Sequence, residues 1–515
     1  MTTDNHSENH KRIAKNTLVL YFRMLFSLLV SLYTSRVFLN ALGVEDYGIN
    51  NAVGGLVGMF SILSGSLTAA ISRFITYELG KNNIEQLKKV FSTAINIQLG
   101  LGLIVILLAE TIGLWFLNTK MIIPTDRMFA ANWVFQFSLI SFFLGLISIP
   151  YNATIIAHER MTTFAYIGIF EVLAKLGIAL LIVHSPIDKL IFLSLFTCII
   201  AVIVRLTYGI YCKLHFQECK YQFIWDKNLL KQMFSFAGWN FIGASSAILR
   251  DQGGNILINM FCGPVANAAR GIAFQVNTAV QSFANNFMTA INPQITKSYA
   301  TGNHAYMMTL IFQGARLSFY MLLILSLPVI INTPYILELW LKTVPDHTPL
   351  FVKLILIFTM CESISNPLVT AMLATGNIRK YQMIVGGLQM LNFPFSFLLL
   401  KLGFIPEIIL VVAIFISQCC LVARLILLRK MIRLNAKEYL KKVYFNVISV
   451  SFIAMLIPSI IQPHLANDFI HFVYSCVICI ISTITTIYFI GCNQKERDLI
   501  CQKITQVKNK VIKHD

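Results

Sequence analysis

The sequence predicts an all-α integral membrane protein with about fourteen transmembrane helices. Hydrophobic residues make up 57% of the chain, charged residues make up only 12%, and the mean hydropathy is +0.70. A soluble domain could not keep so many apolar side chains from water. Apolar runs of the roughly 20 residues that a bilayer crossing needs recur along the chain. We place them at 17–39, 49–70, 91–117, 129–150, 163–184, 188–211, 233–258, 265–291, 306–331, 349–374, 381–400, 404–428, 443–461 and 468–491.

The distribution of basic residues predicts how these spans are oriented. If the N-terminus lies inside, predicted cytoplasmic segments hold 27 of the 41 Lys and Arg residues and predicted external loops hold 5. This asymmetry follows the positive-inside rule, and the even number of spans agrees with it. Both termini are therefore expected in the cytoplasm, and the net charge of +18 needs no nucleic-acid partner. Residues 1–15 are polar and lack a signal-peptide cleavage pattern, so the first span is expected to be retained.

Internal duplication predicts two lobes of six spans each. Residues in the first copy recur about 220 positions later, and the end of span four (147–150, ISIP) resembles the end of span ten (364–367, ISNP). Both copies start on the same side, and parallel repeats of this kind occur in alternating-access transporters. We expect an N-terminal lobe at 1–215, a cytoplasmic linker at 216–232, a C-terminal lobe at 233–430, and two further spans with a tail at 431–515. The basic, aromatic stretch 211–231 is expected to form an amphipathic helix on the inner membrane surface.

The first two spans of both lobes each carry a stripe of polar or small side chains at helical spacing. Span two carries the small residues Gly55, Gly58, Gly65 and Ala69. Ionisable groups at membrane depth usually face a bundle interior or a wet cavity. We therefore expect the spans to line a cavity between the lobes. The stripes comprise Asn16, Arg23, Ser27, Ser31 and Thr34 on span one, Asn240 and Asp251 with Arg250 beside them on span seven, and Arg270, Asn277, Gln281 and Asn285 on span eight.

The charges in this expected cavity indicate an anionic, diphosphate-bearing substrate. Three arginines face one acid there, and a guanidinium matches phosphate oxygens in pairs. The predicted substrate-binding residues are Arg23, Arg250, Arg270, Asn277 and Gln281. Two alternatives stay open, since Asp251 could neutralise Arg250 and Arg23 could extend to the inner headgroups. Arg250, Asp251 and Arg270 have no charged counterparts in the first copy, so this charge is particular to the second.

Acidic groups within the spans are candidates for ion coupling. They are Asp251, Glu362 and Glu171, the last with Lys175 four residues on. Glu171 and Lys175 have the favourable order for a structural helical pair, which is the alternative to an ion relay. A buried protonated carboxyl is the alternative for Glu362.

No resident cofactor is predicted. The eleven cysteines lie mostly inside spans and have no metal-ligand spacing or disulfide pattern. Gly80-Lys81 lacks the rest of a phosphate-binding loop, so direct ATP drive is not expected.

Several segments carry a family likeness. They are 34–36 (TSR), 42–48 (LGVEDYG), 72–74 (SRF), 110–118 (ETIGLWFLN), 150–153 (PYNA) and 157–160 (AHER). The chain resembles Wzx-type polysaccharide flippases of the MATE-like MOP superfamily over spans one to twelve. The resemblance implies two six-helix lobes and alternating access, with no enzymatic activity. Spans thirteen and fourteen match an extra pair of helices in relatives that flip lipid-linked oligosaccharides.

The resemblance also implies a cargo and partners. The cargo would be an undecaprenyl-diphosphate-linked oligosaccharide, moved across a bacterial cytoplasmic membrane for surface polysaccharide or lipopolysaccharide O-antigen synthesis. Membrane lipids, Na⁺ or H⁺, a polysaccharide polymerase and glycosyltransferases are the implied partners. One alternative is a cation-coupled multidrug exporter of the MATE type, although span one lacks the acid of proton-coupled relatives. A membrane-embedded enzyme of glycan assembly is a second alternative, and the short external loops disfavour it.

Overall fold

Helices account for all the regular secondary structure that the computed structural model describes. It describes residues 2–58, 60–119, 121, 123–341, 344–462, 468–494 and 496–498. The α-helices are α1 Thr2–Gly58, α2 Ser61–Gly80, α3 Ile84–Leu108, α4 Leu114–Thr119, α5 Met128–Ala157, α6 Met161–Leu181, α7 Lys189–His215, α8 Lys227–Ala300, α9 His304–Ile331, α10 Thr333–Leu341, α11 Thr348–Thr375, α12 Arg379–Tyr381, α13 Gly387–Met390, α14 Asn392–Lys401, α15 Ile408–Ile432, α16 Ala436–Tyr439, α17 Phe445–Ile461 and α18 Phe469–Thr486. Short π-helical segments continue some of them: Ala109–Gly113, Gln382–Gly386, Leu440–Tyr444 and Ile487–Gly491.

The chain is a multi-pass membrane protein. Within the described residues, eleven helical stretches are long and apolar enough to cross a bilayer, and each coincides with a predicted span. The predicted spans at 49–70, 233–258 and 265–291 are not among the eleven, although their described backbone is helical apart from the turn at Phe60. These are three of the four stretches on which the sequence shows polar or small-residue faces. The all-helical membrane fold is therefore confirmed, whereas the count of fourteen stays a prediction.

Two long helices contain a reversal or a kink. Gly43 divides α1 at φ 79° and ψ 172°, a left-handed conformation that costs glycine little. The 74 residues of α8 would reach about 110 Å if straight, far more than a bilayer needs. A straight helix would also separate Asn255 from Arg270 by about 22 Å, yet Nη1 of Arg270 donates to Oδ1 of Asn255. The chain therefore folds back between these residues, where the sequence predicts a turn between two spans.

The described chain forms two compact units. The first comprises residues 1–244, 289–303 and 373–379, and the second comprises 245–288, 304–372 and 380–515. The predicted boundaries at 215, 232 and 430 stay a prediction. In the first unit, α5 packs against α7, α2 and α3, and α1 packs against α6. One apolar cluster of this unit contains Phe135, Val105 and Leu117, all less than 2% exposed.

A buried carboxylate joins three segments of the first unit. Glu159 lies in the turn between α5 and α6, and only 1% of its side chain is exposed. It accepts from Arg12 Nε at 2.8 Å, Lys297 Nζ at 2.7 Å and Gln294 Nε2 at 2.6 Å. Asn16 Nδ2 donates to the Glu159 backbone carbonyl at 3.3 Å. We call this group the Glu159 junction; it connects the start of α1, the α5–α6 turn and the end of α8.

The expected amphipathic helix at 211–231 is wrong. Helix α7 ends at His215, a short 3-10 turn follows at Gln217–Cys219, and the backbone up to 226 is not helical. The segment instead binds α3, because the Tyr221 hydroxyl donates to Asn96 Oδ1 at 2.8 Å and Asn96 Nδ2 donates to the Ile224 carbonyl at 3.0 Å. These side-chain bonds hold the peptide extended, an alternative to helix that periodicity does not reveal.

In the second unit, α9 packs against α17 and α18, and α14 packs against α15. Arg316 on α9 reaches the segment that follows α18, donating to the Gly491 carbonyl at 3.0 Å and to Glu496 at 2.6 Å. The helices around α9 thus form a framework, and a polar cavity lies among α8, α9, α11, α14 and α15.

Candidate functional site

The second unit contains a polar cavity of about 340 Å³. This volume lies at the lower end of the range of about 300–1,000 Å³ that small-molecule sites occupy. Phe274, Phe358 and Phe393 form part of its apolar wall. Its polar lining consists of Arg250, Asp251, Arg270, Asn277, Thr278, Gln281, Thr359, Glu362, Ser363, Asn366, Asn392 and Ser396.

Arg250 is paired with its neighbour in the sequence. Its Nε lies 2.8 Å from Asp251 Oδ1 and its Nη2 lies 3.1 Å from Oδ2, so the contact is bidentate. The guanidinium also lies 4.8 Å from the centre of the Phe358 ring. The structure thus contains the Arg250–Asp251 pair, while binding of substrate by Arg250 stays a prediction. Both side chains still line the cavity, where 20% of Arg250 and 36% of Asp251 is exposed.

Of the two arginines that line the cavity, Arg270 has the positive charge that its surroundings compensate less. Only 3% of the residue is exposed, and its Nε is buried with no hydrogen-bond partner among the described residues. Asn255 accepts from Nη1, and the Phe274 ring centre lies 4.4 Å from the guanidinium carbon. The absence of a side chain at Gly254 leaves room for it, because a Cβ there would lie 3.1 Å from Nη2. An amide oxygen and a ring face replace only part of the water that a guanidinium loses on burial.

Amides lie beside these arginines. Asn277 is 7% exposed, and its Oδ1 accepts from the Thr359 hydroxyl of α11, whereas Gln281 one turn further on is exposed. Asn392 donates to the Gln389 carbonyl at 2.8 Å, but its Oδ1 is buried without a partner in the described structure. The cavity therefore holds an unused donor on Arg270 and an unused acceptor on Asn392, which a polar ligand could bind.

Glu362 brings a second acid into the cavity. It accepts from the Ser417 hydroxyl at 2.5 Å. The described lining then carries two guanidinium groups and two carboxyl groups, so its formal charge balances when both acids are ionised. The sequence predicts a net positive charge for the cavity because it counts Arg23 among the lining residues. Arg23 is not part of this lining.

The remaining predicted site residues lie in the first unit. Arg23 on α1 places its guanidinium 4.5 Å from the Phe164 ring centre and close to Gly168. Glu171 and Lys175 form a salt bridge of 2.7 Å along α6, and each side chain is about 40% exposed (40% and 42%). The structure thus contains the structural helical pair that the spacing of these two residues predicts. It brings together Arg250, Asp251, Arg270, Asn277, Gln281 and Glu362, and it does not bring Arg23, Glu171 or Lys175 into that lining.

Sequence reasoning missed several polar residues of this cavity. Ser363 and Asn366 stand one and four positions after Glu362, so a polar face on α11 could have been read from the sequence. Asn255, the partner of Arg270, stands four positions after Asp251 and so continues the polar face of span seven, but only the chain reversal in α8 shows that it meets Arg270. Asn392 and Ser396 on α14 lie four residues apart but amid a strongly apolar stretch.

Comparison with known proteins identifies the family of this chain. The model of a family described as "Polysaccharide biosynthesis protein" matches residues 13–299. A solved outward-facing multidrug resistance MATE family transporter of the MOP superfamily aligns with a TM-score of 0.71 at 13% identity, covering 82% of this chain and 96% of that one. No curated protein sequence matches the chain.

Two further solved structures share the fold. A MATE protein in the bent conformation aligns with a TM-score of 0.72 at 12% identity, covering 82% of this chain and 96% of that one. A MOP superfamily transporter from Pyrococcus furiosus, described as having a binding pocket of reverse polarity, aligns with a TM-score of 0.68 at 12% identity over the same shares. The chain therefore has the MATE fold, as the sequence resemblance predicts.

Proposed function

This chain belongs to the polysaccharide biosynthesis protein family, and from that premise we propose that it is a flippase for an undecaprenyl-diphosphate-linked oligosaccharide. It moves this cargo across a bacterial cytoplasmic membrane, in which both of its termini are cytoplasmic. The transported unit serves surface polysaccharide or lipopolysaccharide O-antigen synthesis. The chain acts beside the glycosyltransferases that build the unit and a polymerase that joins it.

The observation that carries this proposal is the buried guanidinium of Arg270 in the second-unit cavity. It is 3% exposed, retains an unpaired Nε, and has only amide and aromatic partners in the described contacts around it. A phosphate oxygen accepts a charge-assisted hydrogen bond from such a group, and the interaction is strong where water is excluded. The diphosphate of the cargo is a ligand of this chemistry.

The rest of the cavity has polar groups suited to an anionic ligand that carries sugars. Asn277, Gln281 and Ser363 present amide and hydroxyl groups suited to sugar hydroxyls. Its volume of about 340 Å³ fits the diphosphate and the first part of a glycan. The lipid tail and the outer sugars would lie outside it. Alternating access moves one lobe against the other, and the internal duplication in the sequence supports two such lobes.

A deletion strain tests the proposal in cells. Loss of the gene should cause lipid-linked glycan to accumulate on the cytoplasmic face of the membrane, because its synthesis continues while its export stops. Restoring the wild-type chain should clear the accumulated glycan, whereas Arg270→Gln should restore about a tenth of the activity or less, since a charge-assisted contact to phosphate is lost. Arg205→Gln is the matched control, because Arg205 also lies against an aromatic ring, Tyr151 at 4.1 Å, but is not part of the cavity.

The exporter of the MATE type is a second candidate that one observation favours. Asp251 and Glu362 place two carboxyl groups in the same cavity, which suits a cationic drug or a coupling ion. Expression in a drug-sensitive strain distinguishes the candidates: raised resistance with no effect on lipid-linked glycan would favour the exporter. We do not propose the membrane enzyme of glycan assembly, since the solved structures with this fold are transporters.

Ion coupling is proposed at the second-unit cavity. Glu362 accepts a single hydroxyl hydrogen bond there and Asp251 is about one-third exposed, so either could exchange a proton or Na⁺ as cargo binds. Glu171 and Lys175 already satisfy each other. Replacement of Glu362 by Gln should therefore alter the dependence of transport on pH or Na⁺, while Glu171→Gln should leave that dependence unchanged.

A further inference from the structure

A second pocket, of about 560 Å³, lies in the first unit and contains three basic side chains. Arg73 comes from α2, Lys231 from the start of α8, and Arg379 from the short helix that follows α11. Phe236 and Trp239 form aromatic walls, and Gly376 contributes backbone. Among the described residues that line this pocket there is no carboxylate. We call it the Arg73 pocket.

Arg73 is held in a fixed position by its neighbours. Its Nη2 donates to the Ala374 carbonyl at 3.2 Å, and the guanidinium carbon lies 4.6 Å from the ring centres of both Phe74 and Tyr77. Gly376, at φ +76°, makes room for the group, because a Cβ there would lie 2.5 Å from Nη2. The Arg73 Nε is buried and has no hydrogen-bond partner in the described part of the chain. A solvated surface arginine would not need this support.

The two other cations complete one side of the pocket. The Arg379 guanidinium lies 5.3 Å from the Trp239 ring centre, and Lys231 is exposed. Burial lowers the pKa of Arg73, while the electrostatic effects of Tyr77 and Glu78 oppose this shift. Glu78 is not part of the pocket lining. The Arg73 pocket is thus preorganised and positively charged, and no acid of its own lining balances it.

We propose that the Arg73 pocket binds a phosphate-bearing anion. Two guanidinium groups and an ammonium offer several donors to phosphate oxygens, and the aromatic walls exclude water from one side of them. The pocket lies at ends of helices that the distribution of basic residues assigns to the cytoplasmic face. A phospholipid headgroup and a soluble phosphate compound share this chemistry, and the experiment separates them. The proposal is independent of the flippase function, since the pocket shares no lining residue with the second-unit cavity.

Native mass spectrometry of the purified full chain tests the proposal. Phosphatidylglycerol should bind, whereas diacylglycerol with the same acyl chains, which lacks phosphate, should not. The double variant Lys231→Ala/Arg379→Ala should bind phosphatidylglycerol about tenfold more weakly or worse, because two charged donors are lost. The single variant Arg379→Gln serves if the double variant does not fold, and it should show a smaller loss of binding in the same direction. Inorganic diphosphate, added in competition, forms the soluble arm of the experiment.

A matched control comes from adjacent positions in the sequence. Lys227→Ala/Lys380→Ala removes two exposed charges that lie within four residues of Lys231 and Arg379 in the sequence but are not part of the pocket lining. It should bind phosphatidylglycerol like the wild type. The pocket variants could also weaken diphosphate binding, and diphosphate could displace the lipid. In that case the proposal stands, and the natural ligand is a soluble phosphate compound. If the pocket variants bind both probes as the wild type and control do, or if diacylglycerol binds equally well, the proposal is wrong.

Discussion

At the scale of single residues, Arg270 shows how a membrane helix supports a charge that lipid alone would not accept. Its neighbour Gly254 leaves space for the guanidinium, Asn255 accepts one donor, and the Phe274 ring covers one face. These partners are neutral, so they stabilise the guanidinium without cancelling its charge. The sequence already identifies Arg270 through its polar stripe, but the chain reversal that brings Asn255 near is a tertiary feature.

Asp251 gives a first residue-scale prediction. Because Arg250 and Asp251 neutralise each other, Arg250→Gln should leave the carboxylate without its partner in the cavity. We expect the single variant to lose about 1–2 kcal/mol of unfolding free energy, and the double variant Arg250→Gln/Asp251→Asn to lose less. Thermal unfolding of the purified proteins measures the difference. An additive double variant would show that the two side chains do not interact.

Two glycines give a second prediction, on backbone strain. Gly376 and Gly403 both have positive φ, at +76° and +86°, and a side chain costs about 1–2 kcal/mol in this conformation. A Cβ at Gly403 meets nothing within 4 Å, whereas a Cβ at Gly376 would collide with Arg73. Gly376→Ala should therefore reduce the thermal unfolding temperature more than Gly403→Ala does. Equal reductions would indicate that Arg73 moves aside freely.

At the scale of elements, apolar length predicts most of the membrane helices, and side-chain bonds explain where prediction fails. Every described stretch that meets the length and hydropathy criterion coincides with a predicted span. The segment before α8 is not helical because Tyr221 and the Ile224 carbonyl bond to Asn96 of α3, a partner more than a hundred residues away. Local periodicity contains no information about such a partner.

The connection between α1 and α7 gives a prediction of pH dependence. Arg127 pairs with Asp46, from the 42–48 motif, and with Asp188 at 2.7 Å, and Asp188 also caps α7 through the Leu190 and Ile191 amides. Burial opposes the ionisation of Asp188, but hydrogen bonds from Arg127 and these amides hold its pKa below the ordinary value. This stabilisation is complete above the unfolded-state pKa of about 4 and is lost as the pH falls through the lower folded-state pKa.

Arg127→Gln should therefore destabilise the protein by about 1–2 kcal/mol at pH 7, and the difference from wild type should shrink below about pH 4. Thermal unfolding at a series of pH values measures it. Lys189→Gln is the control, since its ammonium contacts only the Ala41 carbonyl, at 3.2 Å, among the described hydrogen bonds. A difference that stays constant down to pH 3 would contradict the role given to Asp188.

The Glu159 junction gives a second element-scale prediction. Glu159→Gln would leave Arg12 and the half-buried Lys297 without their buried carboxylate, so we expect a loss of about 3 kcal/mol in unfolding free energy. Glu438→Gln is the comparison, because its pair with Lys442 is exposed and worth about 0.5 kcal/mol or less. Chemical unfolding of both variants measures the losses. Adding Lys297→Met to Glu159→Gln should restore part of the stability, and no restoration would contradict the pairing.

At the scale of the whole molecule, composition and duplication predict the fold, and tertiary packing decides the site. The membrane fold and the family follow from apolar length, the repeat and the quoted motifs, and the family match and the shared fold confirm them. Only part of the site can be predicted from the sequence. Sequence places Arg270 and Asn277 on one polar stripe and Arg250 beside another, but it cannot show that Asp251 pairs with Arg250 or that Glu362 joins the same cavity.

Transport by purified protein in liposomes tests whether the chain flips this cargo. Undecaprenyl-diphosphate-linked oligosaccharide in one leaflet should appear in the other at a rate well above that of protein-free liposomes. Arg270→Gln should reduce this rate about tenfold or more, and Arg205→Gln should not change it. A wild-type rate equal to that of protein-free liposomes, or an Arg270→Gln rate equal to wild type, would contradict the proposed cargo or the role of Arg270, respectively.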